Sequence, residues 1–398
     1  MTLNQNRTLR LMIVAGEASG DAHAAALVRA LREEASETQF EFFGSTGRLM
    51  REAGVQSIVQ ADELSIVGLL EIGRALPKFW RAFSELKRAA LERKPDAVVL
   101  VDWPDFNLRL ARALHRRGLK VIYYISPQLW AWRSHRVRQI RRDVDLLLAI
   151  LPFEPDWYKA RGVGHVEFTG HPLAGEVHAR YDREEFCRRH ALDASSPIIA
   201  LLPGSRRKEL ERILPPLLDA ALQIHQTNPE TQFALVIAPN RSPTEAEKIV
   251  AAHKQSDTLK HILCITHHET REALAAADAA AVASGTATLE AAILGTPLVV
   301  VYKESALNWH TLGNLINAEH FGLVNLIAQE RIVPELMQND LTGERLAQEL
   351  ISLLEPQRNA SIRARLREAT AQLGTGGASR HAAQTILNFL MKEQTRKN

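Results

Sequence analysis

The stretch Leu11–Asp21, LMIVAGEASGD, constrains this chain more than any other segment. A short apolar run, Leu11–Ala15, stops at Gly16, and a turn of small residues leads straight into the helical stretch Ala22–Leu31. Strand, turn and helix in that order open a doubly wound α/β sheet. The turn aims backbone N–H groups and a helix N-terminus at whatever docks there. A dinucleotide fold would place G-x-G-x-x-G here. Instead Gly16, Ser19 and Gly20 bracket an acidic pair, Glu17 and Asp21. Those carboxylates repel a pyrophosphate, so the turn is expected to meet a neutral polar ligand or a structural partner.

The same rhythm runs twice. The first series of strands is expected at Leu11–Ala15, Glu41–Gly44, Ala97–Val101, Lys120–Ile125, Leu146–Ile150 and His165–Phe168. A connection over Gly170–Leu192 follows. The second series covers Ile198–Leu202, Gln232–Ile237, His261–Ile265, Ala279–Ala283 and Leu298–Tyr302. Short apolar runs alternating with helical segments mean parallel sheets covered on both faces. The expectation is two Rossmann-like, doubly wound domains facing a cleft, a preferred place for a small ligand. A chain of 398 residues has room for both. Its composition, 46% apolar and 24% charged, is that of a soluble globular protein. Cys187 and Cys264 form no metal or redox spacing, and a reduced cytosolic setting follows. The start is polar, without a signal peptide, and no long uninterrupted apolar run spans a membrane. A net charge of +3 is too weak for a dedicated nucleic-acid binder, although it suits phosphate-bearing or anionic-surface partners.

The second series holds the clearer ligand signals. Its first strand ends in Pro203-Gly204-Ser205-Arg206, ahead of a helix through Arg207–Ile213. A turn that frees backbone donors beside a forked guanidinium suits a diphosphate, whereas the plain alternative is a βα turn with surface arginines. The strand Ala279–Ala283 runs into Ser284-Gly285-Thr286 and a helix carrying Glu290. Ser284 and Thr286 can cap that helix, and its N–H groups attract phosphate oxygens. Glu290 lies one turn further on an otherwise small and apolar helix, where a carboxylate can accept both hydroxyls of a ribose. Such a layout is that of a GT-B glycosyltransferase.

The segments GEASGDAH (Gly16–His23), VDWPDFN (Val101–Asn107), SPQLWAWR (Ser126–Arg133), LPFEPDWY (Leu151–Tyr158), FTGHPL (Phe168–Leu173), LPGSRRKE (Leu202–Glu209) and ASGTATLEA (Ala283–Ala291) extend the argument. In that order, with VNLIAQERIVPELMQ (Val324–Gln338), the chain resembles the lipid-A-disaccharide synthase family almost end to end. The resemblance implies an inverting, metal-independent transfer without cofactor. UDP-2,3-diacylglucosamine would give its sugar to the 6-hydroxyl of 2,3-diacylglucosamine 1-phosphate, forming a β-1,6-linked tetraacyl disaccharide phosphate and UDP. It also implies three parts. Residues 1–175 form an acceptor- and membrane-facing domain, 176–376 a UDP-sugar domain, and 377–398 a C-terminal helix packing back on the first.

Inverting transfer needs one base on the acceptor side. Asp102 stands at the end of the strand Ala97–Val101, where the catalytic groups of parallel sheets gather. The resemblance makes it the base, with Asp105 as competitor or cap of the helix near Leu108. Arg206 would stabilise the leaving group, together with the helix start at Ser284, Gly285 and Thr286. Gly16, Glu17, Ser19, Asp105, Trp132 and Arg133 are expected near the sugars, and by resemblance Asn325, with Gln338 less firmly. Trp130-Ala131-Trp132 and the arginines after it suit acyl chains and the acceptor phosphate, or alternatively a nucleic-acid patch. Asp143-Val144-Asp145 spells the D-x-D of metal-dependent transferases, but at the wrong end of a strand. His267-His268-Glu269 reads as a loop within reach of a nucleotide base.

The stretch Ile66–Phe83 is amphipathic with basic edges. Ile66, Val67, Leu69, Leu70, Phe79 and Trp80 are expected to touch an anionic membrane, the cytoplasmic face of the inner membrane by resemblance. Pro77 is expected to divide it into two short helices. The alternative is a helix pair facing the core. Trp103, where a small residue would be unsurprising between Val101 and Pro104, is a small departure from the pattern and bears on acyl-chain fit more than on the reaction. A homodimer is left open.

Overall fold

The computed structural model describes residues 8–63, 72–304 and 320–395. The chain divides into two compact units, Met1–Pro172 with Thr375–Asn398, and Leu173–Gly374. In the first, strands β1 (Leu9–Val14), β2 (Phe40–Thr46), β3 (Gln56–Gln60), β4 (Ala97–Val101), β5 (Val121–Tyr124), β6 (Leu146–Ala149) and β7 (Val166–Phe168) form one sheet. Its order is β3-β2-β1-β4-β5-β6-β7, and every pairing is parallel. In the second, β8 (Ile198–Leu202), β9 (Gln232–Ile237), β10 (Leu263–His267), β11 (Ala279–Ala283), β12 (Leu298–Tyr302) and β13 (Glu335–Met337) stand in the order β10-β9-β8-β11-β12-β13. Both are doubly wound sheets that reverse direction beside their first strand. Ligands of such sheets bind beyond the strand C-termini at that reversal. The reversals lie between β1 and β4 and between β8 and β11.

The strands form because their apolar runs are buried on both faces. All residues of β4, β5, β6, β8 and β11 are buried. One face of the first sheet packs Leu11, Ile13 and Val99 against Leu27, Val28 and Leu31 of the helix Ala18–Glu34. Into that same core goes the last helix, Ala378–Thr395, through Ala382, Ala383, Ile386, Leu387 and Leu390. An ion pair of Arg380 with Glu34 at 3.0 Å fastens its edge. The other face packs Met12, Val98 and Leu100 against Ala82, Leu86 and Ala90 of the helix Ile72–Arg93.

That helix corrects an expectation. Within the described residues Pro77 lies inside one continuous helix instead of dividing two. Proline removes a single helical donor near the start. The buried face formed by Ala82, Leu86, Ala89 and Ala90 outweighs that loss. Likewise Pro215 and Pro216 lie inside the helix Arg207–Thr227, against fully buried Leu214 and Leu217. The strand expected at His261–Ile265 runs instead over Leu263–His267, because the helix Ser256–Ile262 continues up to it. Strands β3 and β13 were not anticipated.

Candidate functional site

At the first reversal the ends of β1 and β4 bring Gly16, Glu17 and Asp102 together. Asp102 and Trp103 both take left-handed backbone, with φ of 49° and 50°. Neither is glycine, and each such residue costs about 1–3 kcal/mol. Specific partners hold the conformation. Asn107 Nδ2 donates to the carbonyl oxygens of Asp102 at 2.8 Å and Val101 at 3.2 Å. The Tyr123 hydroxyl donates to the Asp102 carbonyl at 2.6 Å. Asp102 N–H in turn donates to Tyr124 O at 3.0 Å. Burial pushes the pKa of the Asp102 carboxyl above the usual range, the Glu17 carboxylate pushes the same way, and a hydrogen bond from Trp103 N–H opposes them. Among the described residues no arginine or lysine pairs with it.

Asp105 has the opposite environment. Arg133 Nη1 reaches its Oδ1 at 2.8 Å and Arg136 Nη2 reaches the same oxygen at 2.6 Å. Partial burial raises its pKa, but the hydrogen bonds and charges of Arg136 and Arg133 together outweigh that and hold it low. A base works best with its pKa near the operating pH, so Asp102 is the better proton acceptor and Asp105 the weaker. Nor does Asp105 cap the helix Pro104–His115, whose N-cap is Trp103.

The Trp103 ring stacks on Phe106 at 4.1 Å, with Phe79 at 5.9 Å. It lies against Gly16, where an added Cβ would fall 2.1 Å from Trp103 Cδ2. Gly16 is buried, so it gives the ring room and offers no side chain to a ligand. Glu17 and Ser19 are exposed at the helix start, and no side chain caps that end. Asp21 is a structural post. Only 5% exposed, it accepts the N–H groups of Gly47 (2.9 Å), Leu49 (2.8 Å) and Met50 (3.0 Å), capping the helix Arg48–Glu52. Trp132 is 37% exposed, with the Arg133 guanidinium 4.2 Å above its ring. Trp80 is 65% exposed, while Phe79 is half-buried in the aromatic cluster. Ile66, Val67, Leu69 and Leu70 lie outside the described residues.

At the second reversal a cavity of about 250 Å³ opens beyond β8 and β11. Gly204, Ser205, Glu209, Ser284, Gly285, Thr286 and Glu290 line it. Gly204 has φ of 109°, which a side chain would strain, so the turn needs glycine. Glu209, which sequence reading passed over, holds the turn. Its Oε2 accepts Ser205 N–H at 3.0 Å and Arg206 N–H at 3.1 Å, and its Oε1 meets Arg206 Nη1 at 3.1 Å. Arg206 is 83% exposed. An exposed pair of this kind is worth about 0.3–0.5 kcal/mol, so an arriving phosphate can take the guanidinium over.

The Ser284 hydroxyl donates to Phe321 O at 3.2 Å and does not cap the helix Thr286–Ile293. Gly285 is its N-cap and no side chain closes that end; Thr288 N–H donates to Gly285 O at 3.1 Å, and the N–H groups of Thr286 and Ala287 ahead of it are the ones that suit an anion. Glu290 is not the isolated acid that its apolar helix suggested. Arg271 Nε donates to its Oε1 at 3.0 Å, and the residue lines the cavity. Asn325 has no such freedom. Fully buried, its Nδ2 donates to Val333 O and Glu335 Oε1, and its Oδ1 accepts from Ile332 and Val333 N–H. Its side-chain donors and acceptors are spent on the loop before β13 and on Glu335 of β13 itself, so none is left for a ligand. Gln338 Oε1 accepts Glu304 N–H at 3.3 Å.

The D-x-D carboxylates are structural too. Asp143 is 2% exposed and pairs with Arg142, and Asp145 accepts Val121 N–H beside His115 and Lys120. Glu269 of the His267-His268-Glu269 loop bonds Tyr181 and His190. Among the described residues no His, Cys, Asp or Glu cluster suits a metal ion.

Sequence reading also missed Asn107 and Tyr123. The Asn107 spacing in VDWPDFN offered a signal, whereas Tyr123 reads as an ordinary core strand residue.

The model of the lipid-A-disaccharide synthetase family matches residues 11–389. A lipid-A-disaccharide synthase of Geobacter sulfurreducens is 40% identical over 393 residues, covering 98% of this chain and 100% of that protein. One from Solibacter usitatus is 41% identical over 388 residues, covering 97% and 99%. Among solved structures, a putative UDP-N-acetylglucosamine 2-epimerase from Listeria monocytogenes superimposes with a TM-score of 0.61 at 15% identity, covering 98% of each chain. A UDP co-structure of MnaA from S. aureus gives 0.63 at 13% identity, covering 96% and 97%. These two likenesses carry the fold alone. The chain belongs to the lipid-A-disaccharide synthetase family, glycosyltransferases of the two-domain α/β GT-B fold that act in lipid A biosynthesis.

Proposed function

We propose that the chain transfers 2,3-diacylglucosamine from UDP to the 6-hydroxyl of 2,3-diacylglucosamine 1-phosphate, forming the β-1,6 tetraacyl disaccharide 1-phosphate and UDP. The observation that carries this reading is the contrast between two neighbouring carboxylates: Asp102 with its pKa raised and no cation, Asp105 clamped by Arg133 and Arg136. Asp102 takes the proton of the acceptor 6-hydroxyl as that oxygen attacks the anomeric carbon. Arg133 and Arg136 take the acceptor phosphate, for which the Asp105 carboxylate holds their place. On the donor side Arg206 and the open N-terminus at Gly285 and Thr286 receive the diphosphate and steady its charge as UDP leaves. Glu290 takes the ribose hydroxyls. No divalent metal is needed for these steps.

The enzyme works from the cytoplasmic face of the inner membrane. In this reading attachment is peripheral, and the exposure of Trp80 supports placing it at the contact; no described helix is long and apolar enough to cross a membrane.

The test supplies both acylated glucosamines in mixed micelles with EDTA and follows products by mass spectrometry. Disaccharide phosphate and UDP together support the reading. UDP alone would mean hydrolysis or another acceptor, and no product would sink the assignment. Asp102→Ala should abolish turnover while UDP binding stays nearly intact. Trp80→Ser should weaken binding to anionic liposomes, and unchanged binding would remove Trp80 from the membrane contact.

A further inference from the structure

The motif Leu151–Tyr158 has no part in that chemistry, yet it builds an anchor beside it. Glu154 opens the helix Glu154–Lys159 and is fully buried, unusual for a carboxylate. Three N–H donors converge on it. Trp130 Nε1 reaches Oε1 at 3.1 Å, and the backbone N–H groups of Ile150 and Leu151 reach Oε2 at 3.2 and 3.0 Å. Trp130 also meets Phe153 edge-on, with ring centroids 5.2 Å apart. One helical turn on, the Tyr158 hydroxyl donates to Pro127 O at 2.8 Å, and Leu129 between these anchors is 3% exposed. The segment 126–133 is therefore tied down from one short helix. Its far end carries Arg133 in left-handed backbone (φ 55°), from which the guanidinium reaches Asp105.

We propose that Glu154 is a positioning residue, fastening the 126–133 segment so that Arg133, with Arg136 behind it, is set for the acceptor. This rests on the acceptor-side role given above to those arginines. The donor pattern explains the residue type. A carboxylate offers only acceptors, and it takes three N–H groups with the Ser126 hydroxyl beside them. Glutamine keeps the shape but turns an NH2 donor toward one of them, leaving a buried N–H unpaired. Burial pushes the Glu154 pKa up to about 6, a cost the fold bears beside Ser126 and Tyr158.

The experiment compares full-length wild type, Glu154→Gln and Trp130→Phe by steady-state kinetics and by amide hydrogen exchange. In Glu154→Gln, exchange over 126–133 should rise at least about tenfold, as loss of a buried hydrogen bond allows, with β4 and β5 unchanged. The acceptor KM should rise about tenfold, with the donor KM and saturating kcat within about threefold. Trp130→Phe removes one donor and keeps a ring, so the same changes should follow, smaller and in a stably folded protein. Unchanged exchange over 126–133 in both variants would overturn the proposal. So would an equal loss against both substrates together with a lowered Tm, which would assign Glu154 to folding alone. If wild type makes no disaccharide from the two sugars, the functional reading fails separately, and the exchange data still decide whether Glu154 fastens the segment.

Discussion

Gly16→Ala is the sharpest perturbation of the first reversal. The added methyl would stand 2.1, 2.2 and 2.5 Å from Trp103 Cδ2, Cε3 and Cε2. Carbon atoms rest about 3.5–4.0 Å apart, so the indole must retreat by roughly 1.4–1.9 Å from the nearest contact. It has little room, because Phe106 stacks on it at 4.1 Å with the planes 10° apart. Overpacking of this kind costs about 1–3 kcal/mol. In a domain of this size each kcal/mol lowers Tm by roughly 2–4 °C. The catalytic consequence should be larger, since Trp103 follows Asp102 directly. A displacement near 1 Å at a reacting group costs on the order of 100-fold in turnover. The assay is a double-mutant cycle with Trp103→Ala, read by denaturation and by disaccharide formation. Without the indole the three atoms nearest the new methyl are gone, so Gly16→Ala should be neutral within about 0.5 kcal/mol. Additivity of the two substitutions within about 0.5 kcal/mol would refute the reasoning, because the ring would then not be what Gly16 accommodates.

Asp102→Asn should abolish turnover and yet raise Tm slightly at neutral pH. The folded pKa is raised, so the ionised form is penalised in the fold; that penalty acts above the folded pKa and vanishes as pH falls below the unfolded one. A lower Tm in the variant would contradict it. In wild type, kcat/KM should fall as pH drops through a value above the ordinary carboxylate range, and a limb at or below about pH 4 would exclude Asp102 as the base. Glu209→Gln should raise the UDP-sugar KM by about three- to tenfold by loosening the turn at Gly204–Arg206, with the acceptor KM unchanged; calorimetry with UDP checks it. Asp21→Ala removes the acceptor for three N–H groups and should destabilise the first unit by about 1–3 kcal/mol, while any folded fraction keeps its UDP affinity.

The two sheets were legible because parallel strands buried on both faces read as continuous apolar runs. The strands Ala97–Val101, Ile198–Leu202, Gln232–Ile237, Ala279–Ala283 and Leu298–Tyr302 match their expected limits. Strands β3 and β13 escaped because both are sheet edges. Gln56–Gln60 is mostly polar and half-covered, and Glu335–Met337 is three residues long. Proline in the helix Ile72–Arg93 misled for a related reason. Propensity weighs the missing N–H, while the sequence does not display the sheet face that the helix covers.

Charged residues in conspicuous motifs are harder to read, since the same types supply both chemistry and scaffolding. Asp21, Asp102, Asp105 and Asn325 all stand in such motifs, and what separates them is which hydrogen-bonding atoms the fold has already taken. Asn325 has all its donors and acceptors occupied and Asp21 accepts three N–H groups, so both are scaffold. Asp105 is held by two guanidiniums, and under the proposed function it is a placeholder for the acceptor phosphate. Asp102 keeps a raised pKa on strained backbone, and the fold invests Asn107 and Tyr123 in holding its carbonyl rather than its carboxylate. Fixing the main chain and leaving the carboxyl to act is what a proton acceptor requires. Those partners are five residues away and one strand across, so the local pattern around Asp102 carries only half of its environment.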